Sequence, residues 1–414
     1  MRSLGVVVLV AACGDQAAGP HGVGGGDGAV DAAGPTFTQT AYIKSSAPLH
    51  DAHFGMLGLS GDGTVLVGGE DGTVTVYRRD PSWRVDTALT PDPAPVDYGP
   101  RVAISEDGST VAVTADSTIY VFRASGATWT QDARLVEPGA DREIDGLSVS
   151  ADGTLLVASV RDTATDAFIV STYERGDGSW PRSQPIAGID QQFGLGSHLV
   201  LSPEGDALAV ESGTPTVPIG VTIFTRDAGA WTRHVDLPGG TLTGHDGTGI
   251  ACSSHCKTVA IGNAEDDGPV PDPNPMPGKG KVDIFDGDGT TWPTTPTATI
   301  VANDGANGDT FGEAVAISKD GATIVVGASK KALYSGGAYA FRRTGAAWAQ
   351  VMALKASNAE TTDIFGHQVA ISNDGTTIAV AAPYEASASS GVGGNQADNS
   401  APYAGAIYVF QGTY

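Results

Sequence analysis

The sequence predicts an all-β protein: a seven-bladed β-propeller of four-stranded blades, its ring closed by an N-terminal strand. Three observations predict it. A turn signal, Ser-x-Asp-Gly or a variant of it, recurs along the 414 residues at spacings of 45, 45, 52, 51, 65 and 54, the size of one blade. An aromatic residue closes a β run in every repeat, at Tyr77, Phe122, Tyr173, Phe224, Phe285, Phe341 and Phe410. In six of them a Trp follows six or seven residues later, which accounts for all six Trp of the chain. Beyond the first residues no segment keeps an apolar period of 3.6, so very little helix is expected.

The chain opens with a basic Met1-Arg2-Ser3 and a nine-residue apolar run, Leu4 to Ala12. A bilayer span needs ~20 such residues, whereas nine suit a signal peptide. The run ends in Val10-Ala11-Ala12-Cys13. Small residues before a Cys resemble the lipobox of bacterial lipoproteins, and that resemblance implies lipidation of Cys13; an ordinary signal with an incidental Cys is the alternative. Gly14 stands where Asp favours inner-membrane retention in the Gram-negative family. The expected address is therefore the bacterial cell envelope, as an outer-membrane lipoprotein, periplasmic or surface-exposed, touching the membrane only through its anchor. Residues 14–35 are Gly, Ala and Asp with almost no large apolar side chain. Such a stretch cannot offset its ordering entropy and reads as a tether. The expected organisation is leader 1–13, tether 14–35 and propeller 36–414.

Each repeat reads as four strands, A to D. In the sixth they are Phe311 to Ser318, Thr323 to Gly327, Gly337 to Arg342 and Trp348 to Lys355. Strand A carries large residues on one face (Val102/Ile104, Val315/Ile317, Val369/Ile371) and small ones on the other (Gly58/Ser60, Ala103/Ser105, Ala316/Ser318). This predicts burial on both faces, as in sheets stacked around an axis. The seventh repeat stops after its strand C, Ala406 to Gln411, while Phe37 to Lys44 resembles a strand D with Phe37 in the Trp place. The first strand is thus expected to complete the last blade and remove its open edge.

Phe-Gly opens several of the A strands, at Phe54-Gly55, Phe193-Gly194, Phe311-Gly312 and Phe365-Gly366, with Tyr98-Gly99 as a variant. Strand B ends in Gly327-Ala328-Ser329 and Ala381-Ala382-Pro383. Over about residues 37–414 these features resemble the FG-GAP repeat proteins, bacterial relatives of the integrin α-subunit propeller. That family also uses an Asp-x-Asp/Asn-x-Asp-Gly calcium loop between strands A and B, because calcium needs six to eight oxygens. The turns here carry at most one Asp each and do not match, so the calcium role is not carried over; no cofactor is expected, with a bound Ca²⁺ as the lesser alternative. Asp-Gly is read instead as a turn former. Asp286-Gly287-Asp288-Gly289 alternates acids but falls in a C–D turn.

The A–B and C–D turns share one end of the ring and are nearly constant in length. The B–C and D–A loops share the other and vary widely, which is where function is usually placed. Candidate ligand contacts on that long-loop face are Asp266, Asp267, Asp272, Asp304, Asp309, Tyr384 and Glu385. No phosphate loop, His-Glu-x-x-His or Gly-x-Ser-x-Gly is present, and no catalytic or metal residue is assigned. His53, His198, His245 and His367 fall at or near strand A, placed either to face the axial channel or to be hydrogen-bonded within the fold. Setting Cys13 aside leaves Cys252 and Cys256, either a short hairpin bridge or two adjacent thiols.

With 23 Lys+Arg against 47 Asp+Glu the formal charge is −24, which argues against nucleic acid and other anionic partners. The expected protein is a monomeric binding or scaffold module for a protein or glycan. The alternative is a propeller hydrolase with its site on the axis, suggested by Ser202-Pro203-Glu204-Gly205, which resembles a turn of lactonase-like propellers.

Overall fold

The computed structural model describes residues 36–70, 72–95, 101–183, 185–187, 198–214, 217–239, 249–264 and 278–413. The compact unit spans Gly34–Tyr414. Its described residues form seven antiparallel sheets; six run in chain order from an inner strand A outward, and the seventh takes its outer strand from the start of the unit. Six have four strands; the third has three, Arg142–Val149, Leu155–Asp162 and Ala167–Glu174. Its outer segment is held by single backbone bonds, Ser183 N–H to Thr172 O at 2.8 Å and Ile186 N–H to Val170 O at 3.0 Å. Each strand A touches the A strands of both neighbouring blades, and the seventh touches the first, so the ring is closed. Among the described residues helix is confined to a single turn, Lys331–Tyr334, and a 3-10 turn, Ser254–Cys256.

Closure is by the first strand. Thr36–Ile43 pairs antiparallel with Ala406–Thr413, in the order outer strand, C, B, A. Phe37, Tyr42 and Ile43 are buried there. Seven apolar clusters form the core, one between each pair of adjacent blades; that between the first two joins Val65, Val67, Val74 and Val76 to Val111, Val113 and Phe122.

The burial expected of strand A belongs to strand B. Val65–Glu70, Thr110–Ala115, Thr258–Asn263, Thr323–Ala328 and Thr377–Ala382 are buried along their whole length. Inner strands such as Val102–Ile104 and Val315–Ile317 are half-buried because they line the axial channel. Their small residues still admit the next blade: a Cβ on Gly58 would lie 3.0 Å from Ile104 Cγ2. Strand A is also shorter than expected. Phe311 and Phe365 are buried and bridge in parallel to Gly280 and Gly336, and the chain turns at Gly312 (φ 103°) before the strand begins. A side chain at Gly312 would meet Lys281 O at 2.6 Å. Phe-Gly is thus an anchor followed by a turn.

The Ser-x-Asp-Gly turn is self-contained. In the first blade Ser60 Oγ donates to Asp62 Oδ1 (2.6 Å) and accepts from Val65 N–H (2.9 Å), Asp62 Oδ1 accepts from Thr64 N–H (2.9 Å), and Gly63 holds φ 66°. The carboxylate is used by the turn, as the sequence reading of Asp-Gly expects. In the fifth blade Cys256 occupies the Gly place at φ 47° and is joined to Cys252 by a disulfide with Cα atoms 4.6 Å apart.

Candidate functional site

The two ends of the ring differ. At the A–B end the turns bond to one another around the axis. Gly61 N–H donates to Glu106 O (2.8 Å), Ala151 N–H to Pro203 O (2.8 Å), Ser254 N–H to Lys319 O (3.0 Å), Lys319 N–H to Asn373 O (3.2 Å) and Asn373 N–H to Gly61 O (2.7 Å). Pro203 has no N–H to pass on. The Glu204 carboxylate makes that link instead, accepting from Ser254 Oγ (2.7 Å) and His255 N–H (2.8 Å). Side chains then cross the axis: Lys319 Nζ lies 2.8 Å from Glu106 Oε2, which also accepts from Asn373 Nδ2 at 2.9 Å. This end is plugged.

Glu204, Asp206 and His255 bring one ligand atom each within 4.8 Å of one another, the one such three-residue group found among the described residues. His255 Nδ1 is 2.5 Å from Asp206 Oδ2, and Lys319 Nζ stands 3.7 Å from Glu204. The turn-to-turn hydrogen bonds and the ammonium account for this cluster without a metal ion.

The opposite end opens. A cavity of ≈ 490 Å³ is lined by the beginnings of the A strands, including Arg101, Asp145, His198, Glu313, His367 and Gln368. Two imidazoles in it are backed by carboxylates: His367 Nδ1 lies 3.0 Å from Glu313 Oε1, and His198 Nδ1 lies 3.2 Å from Glu211 Oε2. Burial works against ionising Glu313, but hydrogen bonds from His367, Ser329 and Thr310 outweigh it and hold the carboxyl below its ordinary range. A carboxylate on Nδ1 fixes the ring and turns Nε2 away from that partner, an arrangement able to accept a proton or bind a polar ligand.

Four of the seven candidate contacts lie within the described residues. Asp266, Asp267 and Asp272 fall outside the described residues, as does Cys13. Asp304 and Asp309 are brought together by Lys331, whose Nζ is 3.2 Å from each carboxylate. Asp309 is buried and also accepts from Ala306 N–H (2.9 Å). Burial raises the Asp304 carboxyl, but hydrogen bonds from Tyr339 and Lys331 hold it low. Glu385 is fully buried, paired with buried Lys44 at 2.6 Å and accepting from Asn358 Nδ2 (3.0 Å) and Ser387 N–H (3.1 Å). It sits beneath the face and helps fasten the closing strand, which ends beside Lys44. Tyr384 is 38 % exposed and packs against His53 and Tyr403. The partners Glu211, Glu313 and Lys331 were missed in the sequence; the one local signal was an acid directly after Phe-Gly in Phe311-Gly312-Glu313.

The FG-GAP repeat family matches residues 294–341 and 348–410. Each match begins in or just before an outer strand and ends within the C strand of the next blade, so two repeats span the fifth-to-sixth and sixth-to-seventh blade boundaries. Two stretches of this seven-bladed propeller therefore match FG-GAP repeats, both in its last three blades. No curated protein matches it. Among solved structures, a chain of a mitotic checkpoint complex is similar at TM-score 0.57 and 13% identity, covering 91% of this chain and 95% of that one. Hydrazine synthase of Kuenenia stuttgartiensis is similar at TM-score 0.54 and 13% identity, with 82% and 94% covered. At these identities the likeness is one of fold.

Proposed function

We propose that this propeller is an exported, lipid-anchored binding module that takes a protein or glycan partner on its long-loop face. The observation that carries the reading is the difference between the ends: one is plugged by turns bonded to one another, the other opens a cavity lined by the beginnings of the A strands. Loops on a rigid ring are suited to recognition. The address rests on the leader and Cys13. The experiment is affinity capture from envelope extracts with the chain lacking residues 1–35, beside one that also lacks 263–281. A partner held by the first and lost by the second supports the face; a partner held equally by both counts against it. Cys13→Ser is expected to move the full chain from the membrane to the soluble fraction.

A second reading, an axial hydrolase, is favoured by the two carboxylate-backed imidazoles in one cavity. It expects turnover of an ester or lactone panel that falls at least a hundredfold in His367→Ala. No turnover by the intact chain removes it.

A further inference from the structure

We infer that His53, Tyr384 and Tyr403 form a stacking platform for a neutral pyranose, so that the partner of the long-loop face is an uncharged glycan; the inference deepens the binding reading and rests on it. The three rings touch one another. Centroids of Tyr384 and Tyr403 are 5.0 Å apart at 73°, those of His53 and Tyr384 5.3 Å apart at 56°, and those of His53 and Tyr403 6.1 Å apart and stacked at 21°. They come from three stretches of chain: the run into the first blade and the two ends of the B–C loop of the seventh. Main-chain bonds fix them, His53 N–H to Tyr403 O at 2.8 Å, Phe54 N–H to Ala404 O at 3.1 Å and Tyr384 N–H to Asp363 O at 3.3 Å.

Two features separate these rings from the packing aromatics of the fold. The residue next to His53, Phe54, is 1 % exposed, while Tyr384 and Tyr403 are 38 % and 41 % exposed. Secondly, His53 (φ 53°) and Tyr403 (φ 59°) hold left-handed backbone, which a side-chain-bearing residue adopts only at a cost. Gly would avoid that cost and present no ring. Tyr334 (φ 65°), 49 % exposed on the neighbouring sixth-blade loop, repeats the combination.

The chemistry selects the ligand. Rings in mutual contact leave no slot between them for an aliphatic side chain, but they offer faces on which the C–H side of a pyranose lies flat. Hydroxyls around that face meet phenol and imidazole; Asp51, two residues before His53, has its N–H bonded to Pro402 O and its carboxylate 2.5 Å from His50 Nδ1. Three rings are a small surface beside the ~800 Å² per partner of a stable protein interface, and match one or two sugar units. The net charge of −24 disfavours uronic and sulfated sugars, so the inference commits to neutral ones.

The test is saturation-transfer NMR on the full chain with maltohexaose, cellohexaose and chitohexaose, and with oligogalacturonate as the anionic arm. The expected result is transfer to ring-carbon protons of at least one neutral oligosaccharide, with millimolar to high-micromolar affinity. Tyr384→Ala and Tyr403→Ala should each weaken it tenfold or more at unchanged Tm. Tyr384→Trp should retain it. Absence of transfer to all three neutral probes, binding that survives both Tyr→Ala variants, or preference for oligogalacturonate overturns the inference. A protein captured from extracts in a Tyr384-dependent way, with no glycan bound, would overturn the glycan and leave the binding face standing.

Discussion

At the scale of single residues, most departures from the repeat pattern have a local cause. Pro203 removes a donor from the ring of turns, and Glu204 with Ser254 and His255 restores the link, so the irregular turns of the fourth and fifth repeats belong together. Asp363 is a different case. It is buried under the seventh-blade loop, near Glu385, Glu360 and Lys44, and accepts from Glu360 N–H at 2.8 Å. Burial, and then the charges of Glu385 and Glu360, raise its pKa to about 6, against the opposing effects of that hydrogen bond and Lys44. The folded state therefore holds this proton more tightly than the unfolded chain. From about pH 4 to pH 6 the Asp363 contribution to stability falls as pH rises, by about 3 kcal/mol in all. Asp363→Asn keeps the acceptor and removes the charge. It is expected to raise Tm at neutral pH and to leave Tm little changed near pH 4. Equal Tm differences at both pH values would show that Asp363 does not titrate between them.

At the scale of elements, the closing strand concentrates the stability of the ring. Thr36–Ile43 buries Phe37, Tyr42 and Ile43 and leads directly to the Lys44–Glu385 pair. Each such apolar side chain contributes about 1.5–3 kcal/mol when buried, and leaving Glu385 buried without its cation costs about 3–5 kcal/mol more. Deleting residues 36–46 is expected to lower unfolding stability by at least ~5 kcal/mol and to expose Ala406–Thr413 as an edge prone to self-association. Denaturant midpoints with light scattering measure both, and an unchanged midpoint would mean the ring closes without this strand. The strand was legible in the sequence because its pattern repeats strand D and because the seventh repeat lacks one. So were the turns, whose Ser, Asp and Gly act within five residues of one another. The half-exposure of strand A was not, since it depends on a ring that local alternation does not encode. Nor were the site partnerships: Lys44 meets Glu385 across 341 positions and His367 meets Glu313 across 54. Glu385 read as a surface contact because a carboxylate in a long loop usually is one.

At the scale of the whole molecule, charge is the property with the widest reach. Cations near the surface are largely occupied: Arg161 reaches Glu143, Asp145 and Asp166, Arg175 holds Asp132, and Arg343 holds Asp286. Exposed pairs of this kind are worth about 0–1 kcal/mol each, and salt weakens them. The excess of 24 negative charges acts differently, because its self-repulsion grows with the square of the net charge and is larger in the compact state than in the unfolded chain. Repulsion is the larger effect, so raising NaCl from a low concentration to the physiological range, where the screening length falls to ~8 Å, is expected to raise Tm. A Tm that falls over that range would mean the paired charges dominate. The same screening separates the partner classes. A neutral glycan bound by ring faces should keep its affinity as salt rises, a cationic protein should lose it, and an anionic ligand should gain. Measuring the salt dependence of binding on the long-loop face therefore reads the class of partner even where its structure is unknown, and a strong loss of affinity with salt would exclude stacking on His53, Tyr384 and Tyr403 as its main source.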